Sequence, residues 1–223
     1  VLFTKIVIGF LKKLVNSFDK HCRSPKMKKE KRAYVQTARR ELKEQTRIRI
    51  VEALVALHEE IGPKNTTIAA VAKRAGVQRL TVYRHFENEE AMLMACSGHW
   101  AMQNPPPQIA DWESTKNIDE LAYAALHAIH TYYSDKEGML TKVYRDASDV
   151  TALGPIMQGF DDHFASLADD VALRLAKGKP DKMLRSVARH LFQFSTWQSL
   201  SKEKLSEEEI ARVGLAWLKN LSE

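Results

Sequence analysis

The pattern of apolar and polar positions from Met27 onward predicts a series of helices separated by short, chemically recognisable breaks. Across RIRIVEALVALHEEI, Ile48, Val51, Leu54, Val55, Leu57 and Ile61 recur at roughly helical spacing, giving one apolar stripe. Gly62-Pro63 ends that helix, because Gly suits the C-terminal cap and Pro cannot continue the ladder. Thr66-Thr67 follows, and a Thr oxygen can accept from the unpaired N–H groups of a new helix. Ile68, Val71, Ala72 and Ala75 stand at i, i+3, i+4 and i+7, so a short second helix with an inward face is expected. Gly76 permits a sharp turn, and a third short helix fits Arg79 to Phe86. Asn88 can cap a fourth, with Glu89 and Glu90 beside the positive end of its dipole.

The fourth pattern runs through Trp100 and stops at Asn104-Pro105-Pro106-Pro107, where three prolines forbid helix and stiffen the connection. Helical spacing resumes in Ile118–Tyr133, Met139–Asp149 and Ile156–Ala176. Two final helices follow, about 181–200 and 206–222. Met183, Leu184, Val187, Leu191, Phe194 and Gln198 trace one face of the first, and Ile210, Val213, Trp217 and Leu221 one face of the second. Nothing alternates with period two, so the expected class is all-α. Those two faces either fill the core of one chain or build a four-helix bundle between two copies.

Charge divides the chain where the pattern does. Residues 1–94 carry 20 Lys+Arg against 10 Asp+Glu, and the remainder 14 against 18, within a net charge of +6. A basic N-terminal portion on a mildly acidic remainder suggests that the first meets a polyanion and the second has another task. Two cysteines, Cys22 and Cys96, have no metal-ligand spacing and fit a reducing, cytoplasmic setting. No uninterrupted apolar run approaches the ~18 residues of a membrane span. Residues 1–26 mix short apolar stretches with lysines and fail as a signal peptide, since the run Ile6–Leu11 is too short. They read as a non-native or disordered extension before Met27, the rival reading being an anchor on a membrane surface through residues 1–18.

Two short helices joined by a Gly turn, the second rich in polar groups, form a helix-turn-helix pattern. On the third helix Val82 and Phe86 stand at i, i+4 and face inward. Leu80, Thr81, Arg84 and His85 are left outward, with Arg79 and Tyr83 on the flanks. Such a face can enter a major groove, where Arg reads guanine edges, Thr or Leu touches a thymine methyl and Tyr bonds phosphate. The alternative is an ordinary solvated helix face. Ahead of it Lys28, Lys29, Lys31, Arg32, Arg39 and Arg40 make a basic arm leading into the first helix, and Lys28 and Lys29 are candidate phosphate contacts.

The run TTIAAVAKRAGVQRLTVYRHFENEEAML, with RIRIVEALVALHEEIG before it, resembles the DNA-binding signature of TetR-family transcriptional regulators over about residues 45–94. The resemblance implies a DNA-binding domain over 27–94 and a larger helical ligand-binding and dimerisation domain over 95–223. Thr67 would bond phosphate, and Thr81, Tyr83 and His85 would fall at DNA-facing positions. Gln78, Arg79, Leu80 and Arg84 would occupy the variable, operator-reading positions. Two residues depart from the family pattern: Leu80 stands where Gly, Ala or Pro is frequent, and Glu89 where a Lys commonly meets phosphate. The remainder also resembles a TetR ligand-binding domain in PPP followed by Trp112, in Tyr132-Tyr133, in Met139 leading into VYRD, and in FSTWQSL before the last helix. The implied partners are a double-stranded operator, a small-molecule inducer and a second copy of the chain, with no membrane.

Among residues expected to line a ligand pocket are Trp100, Tyr123, His127, Tyr133, Tyr144, Arg145, Phe164 and Trp197, apolar bodies with polar tips or embedded charges. His127 and His130 lie at i, i+3, but no third ligand stands nearby, so neither a metal nor another cofactor is expected. The chain lacks a phosphate-binding Gly loop, HExxH, CxxC and a nucleophile elbow. A regulator rather than an enzyme is the expectation, a helical small-molecule-binding or catalytic protein being the rival.

Overall fold

A computed structural model describes residues 28–176 and 179–222, with side chains from residue 36 onward. The reading of residues 1–26 and the side chains of Lys28 and Lys29 therefore lie outside the described residues. Ten α-helices and no strand occur among the residues described. The chain divides into two compact units, the first ending at Gln103 and taking in Asp149–Leu153, the second comprising the rest.

In the first unit, α1 (Lys28–Ile61) is one unbroken helix of 34 residues. The basic arm is thus part of the helix rather than a lead into it, because Lys, Glu, Ala, Arg, Gln and Leu are good helix formers and no Gly or Pro interrupts them before Gly62. The buried face holds Ile50, Val51, Leu54 and Leu57. Ile48 lies about 120° round the helix from Leu54 and is 40% exposed, so Ile50 takes the inner place expected of it. Ile61, at the end, is equally exposed.

After the turn at Pro63–Asn65, α2 (Ile68–Ala75) starts on Thr67, whose hydroxyl accepts from the Ala70 N–H at 3.2 Å. Gly76 then closes the helix in the left-handed region (φ 65°, ψ 38°), its N–H turned back to the Ala72 and Lys73 carbonyls. A Cβ added there would meet nothing within 4 Å, so the requirement is conformational only. Gly76→Ala should destabilise this unit by about 1–2 kcal/mol, and Gly76→Asn by less, as read from denaturant midpoints. α3 (Arg79–His85) follows, then α4 (Glu89–Gln103), where the Asn88 carboxamide oxygen accepts from the Ala91 N–H at 2.8 Å. α1 packs on α2 and α4, and α2 on α3.

In the second unit, α5 (Ile118–Asp135) is the central helix, packed by α7 (Gly154–Leu175) and α10 (Glu207–Ser222), with α6 (Glu137–Asp146) crossing its end. Asn117 caps α5 through the N–H groups of Asp119 and Glu120, and Ser206 with Glu209 makes a reciprocal capping box on α10. Gly214 of α10 faces Leu126 so closely that a Cβ would stand 3.1 Å from its Cδ1.

The stretch expected as one helix over 181–200 is two: α8 (Lys182–Leu191) and α9 (Phe194–Lys202), divided at Phe192-Gln193. Three successive carbonyls accept from side chains, and His190 O also from the Gln193 N–H at 3.2 Å. Thr196 Oγ1 donates to His190 O (2.6 Å), His130 Nε2 to Leu191 O (3.1 Å) and the Tyr133 hydroxyl to Phe192 O (2.7 Å). The break is made from one other element, α5, which carries both His130 and Tyr133, as well as from its own segment, and no Pro or Gly marks it.

Candidate functional site

The first unit presents α3 as a short helix whose inner side is apolar and whose outer side is polar. Val82 and Phe86 are buried, and the Phe86 N–H caps the helix on the Val82 carbonyl. Leu80 and Tyr83 are 57% and 61% exposed, and Gln78, Arg79 and Arg84 are exposed with them. Thr81 is half-buried. A groove of about 530 Å³ runs beside the start of α3, lined by Ala69, Ala72, Lys73, Val77, Gln78, Arg79 and Leu80. Its lining joins the apolar Ala69, Ala72, Val77 and Leu80 with the basic and amide-bearing Lys73, Arg79 and Gln78.

His85 is turned partly inward. It is half-buried, its Nδ1 has no hydrogen-bond partner, and burial followed by the fields of Lys43 and Arg47 lowers its pKa. Arg47 reaches from α1 to lie 4.8 Å over the Phe86 ring, close enough for cation–π attraction. α1 therefore brings two cations to the C-terminal end of α3. Thr67 sits at the start of α2, where its oxygen satisfies one backbone N–H. Glu89 is exposed in the first turn of α4.

The candidate ligand residues do not converge on one place. Tyr133, Tyr144, Phe164 and Trp197 join Tyr132, Phe160 and Phe194 in one aromatic cluster, with ring centroids 4.8–6.4 Å apart. Within it the Tyr133 hydroxyl is committed to Phe192 O, and the Tyr144 hydroxyl donates to the Asp161 carboxylate. Burial first, and Asp161 second, push the Tyr144 hydroxyl pKa upward, so it stays protonated and a donor. The Trp197 indole N–H is buried without a partner.

Tyr123 and His127 stack on each other at 5.9 Å, with His127 Nε2 3.7 Å from Glu208 Oε1. Arg145 forks onto the buried Asp146 at 2.7 and 3.1 Å. Trp100 belongs to the first unit, half-buried on α4. Asp161 and Phe194 were missed from sequence: an Asp on an amphipathic helix reads as solvated face, and Phe194 as core. Among the described residues no group of three His, Cys, Asp or Glu is arranged to hold a metal, and no helix is long and apolar enough to cross a membrane.

The class these elements define is an all-helical fold that carries a helix-turn-helix in its first unit. Residues 50–96 match the family model of bacterial regulatory proteins, tetR family. No curated protein matches it. Among solved structures, a protein of Syntrophomonas wolfei described as a TetR-family transcriptional regulator is 18% identical, with TM-score 0.57 over 80% of this chain and 95% of its own. A Clostridium perfringens protein described as a fatty acid metabolism regulator is 14% identical, with TM-score 0.56 over 77% and 97%. A loop-substituted mutant of the HlyIIR protein is 16% identical, with TM-score 0.55 over 78% and 96%. At these identities the likeness is one of fold.

Proposed function

We propose that the chain is a homodimeric, ligand-responsive regulator, a repressor released from a pseudo-palindromic operator when a small molecule binds the second domain. In this reading residues 27–94 bind DNA and residues 95–223 hold the ligand and the dimer. The observation that carries it is α3, with Val82 and Phe86 anchored beneath and Leu80, Tyr83 and Arg84 held out from the surface. Arg84 offers a fork that matches a guanine edge, and Gln78 and Arg79 flank it. Thr67 and Tyr83 serve phosphate, together with Lys28 and Lys29, while Thr81 or Leu80 meets a thymine methyl.

A second copy supplies the second recognition helix that a two-half-site operator needs. Support comes from apolar residues left outward near the chain's end: Met183 on α8, and Trp217, 45% exposed, on α10. For the ligand, the aromatic cluster offers apolar rings with the unpartnered Trp197 N–H as a donor. Regulation is a two-state linkage: ligand binds the form in which α4 holds the recognition helices off register, so DNA and ligand weaken each other by the same factor.

Selection of bound fragments from the source genome by the full chain tests the reading. Recovery of a pseudo-palindromic sequence is expected, and no enrichment over random fragments would sink it. On the selected sequence, Arg84→Ala should lose about tenfold or more in discrimination between the preferred and a substituted base pair, the equivalent of ~1–3 kcal/mol. Equal weakening of operator and random DNA would remove Arg84 from the base-reading role.

A further inference from the structure

Among the described residues the outer half of α1 is largely solvent-exposed. Residues 36–45 are exposed, apart from the half-buried Ala38, and the first fully buried side chain is Ile50. Even Leu42 is 63% exposed. A solvated helical projection of this length is marginal on its own, and a partner that lies along it would stabilise it.

Three of its basic side chains line up. Arg39, Lys43 and Arg47 stand at i, i+4 and i+8, a single stripe advancing about 6 Å per step. Glu41 falls about 160° from Lys43 around the helix, whereas Glu44 stands about 60° from Arg47 and acts with Lys43 and Arg47 on His85, in the opposite sense. The stripe begins beside the recognition helix, because Arg47 lies over Phe86, directly after α3, and Lys43 with Arg47 acts on His85. From there it leads away along α1, whose first turns contain Lys28, Lys29, Lys31 and Arg32 in sequence.

We propose that this projection is a second DNA-contacting surface, a helical rail on which Arg39, Lys43 and Arg47 follow the phosphate backbone of duplex beyond the base pairs that α3 reads. The inference rests on the regulator reading above. Cations evenly spaced about 6 Å apart along one stripe match the regular charge of a phosphate backbone. A membrane surface would call for a broad apolar face beside the cations; Leu42 and Ile48 are separate from the stripe and from each other. The rail also supplies positive charge that Glu89 withholds from the start of α4. From Arg47 back to Lys28 the helix rises about 28 Å, the length of roughly eight base pairs.

The test uses the full chain and a fragment it selects from genomic DNA, trimmed to two duplexes: the protected core alone, and the core with ten flanking base pairs on each side. The wild type should bind the longer duplex more tightly and with a steeper salt dependence. Arg39→Ala with Lys43→Ala should flatten that slope by about 0.9 for each phosphate that is no longer neutralised, bring the longer duplex down to the affinity of the shorter, and leave the shorter unchanged. The Arg39→Lys, Lys43→Arg exchange should retain the tighter binding, and unchanged helical circular dichroism confirms that the variants fold. Indistinguishable binding of wild type and double-Ala variant to the longer duplex overturns the rail, as does equal weakening on both duplexes. Charge-dependent sedimentation with anionic vesicles, lost in the double-Ala variant while DNA binding stays intact, overturns it in favour of a membrane surface. Failure of the wild type to select any fragment removes the regulator reading and the rail together, whereas an intact selection with no flank effect removes the rail alone.

Discussion

Phe86→Ala is expected to abolish DNA binding by unseating the recognition helix while the second unit stays folded. Phe86 is 3% exposed and, with Val82, supplies the apolar floor of a helix only seven residues long. So short a helix has little stability of its own, and its geometry depends on those two anchors. Truncation removes the buried ring and leaves a cavity, a loss of about 3–5 kcal/mol, and Arg47 loses the face it covers. Trp112 and Trp197 are buried in the second unit, so their fluorescence should retain a transition near the wild-type midpoint. Loss of helical circular dichroism should begin earlier. Unaltered DNA affinity in a folded Phe86→Ala variant would show that α3 does not depend on this anchor.

The second large effect concerns pH. His130 is fully buried, its Nε2–H donating to Leu191 O while Nδ1 has no partner. Burial, opposed in part by the Leu191 hydrogen bond, lowers its pKa to about 4; His127 lowers it further and Glu207 acts the other way. The unfolded chain takes up this proton near pH 6.5, the folded chain only near 4. Between those values the unfolded state binds more protons, so stability rises with pH. The contribution is complete above about pH 6.5 and is lost as pH falls through 4, an interval worth about 3 kcal/mol. His163 and His85 shift in the same direction and add to the trend. His130→Gln keeps a donor for Leu191 O and removes the titration. Urea midpoints between pH 4.5 and 7 should therefore fall less steeply for the variant than for the wild type, and parallel slopes would exclude His130 as the source.

The DNA-binding segment was the most legible part of the chain because its signals are local. A Thr before an apolar-Ala run, a Gly that must turn, and two anchors at i, i+4 act over a few residues, and each stands where the spacing put it: Thr67 as cap, Gly76 at positive φ, Val82 and Phe86 inside. The orientation of His85 was not legible, since it depends on Lys43 and Arg47 arriving from α1. The division between α8 and α9 was invisible for the same reason: His130 and Tyr133 lie about sixty residues away. Aromatic residues in the second unit could be enumerated but not grouped, because helical periodicity gives the face of each helix and not which faces meet. Thus Tyr133, Tyr144, Phe164 and Trp197 share a cluster, while Tyr123 and His127 sit by Glu208.

The division at Phe192-Gln193 has a mechanical meaning. Leu191 O and Phe192 O are satisfied while α5 keeps His130 and Tyr133 in register with them. A shift of α5 by an ångström or so would break both bonds at once and leave two buried carbonyls bare. α5, α8 and α9 should consequently open as one cooperative block, their amides exchanging with solvent together rather than fraying from the break, and a compound that wedges between α5 and α8 would loosen the whole block.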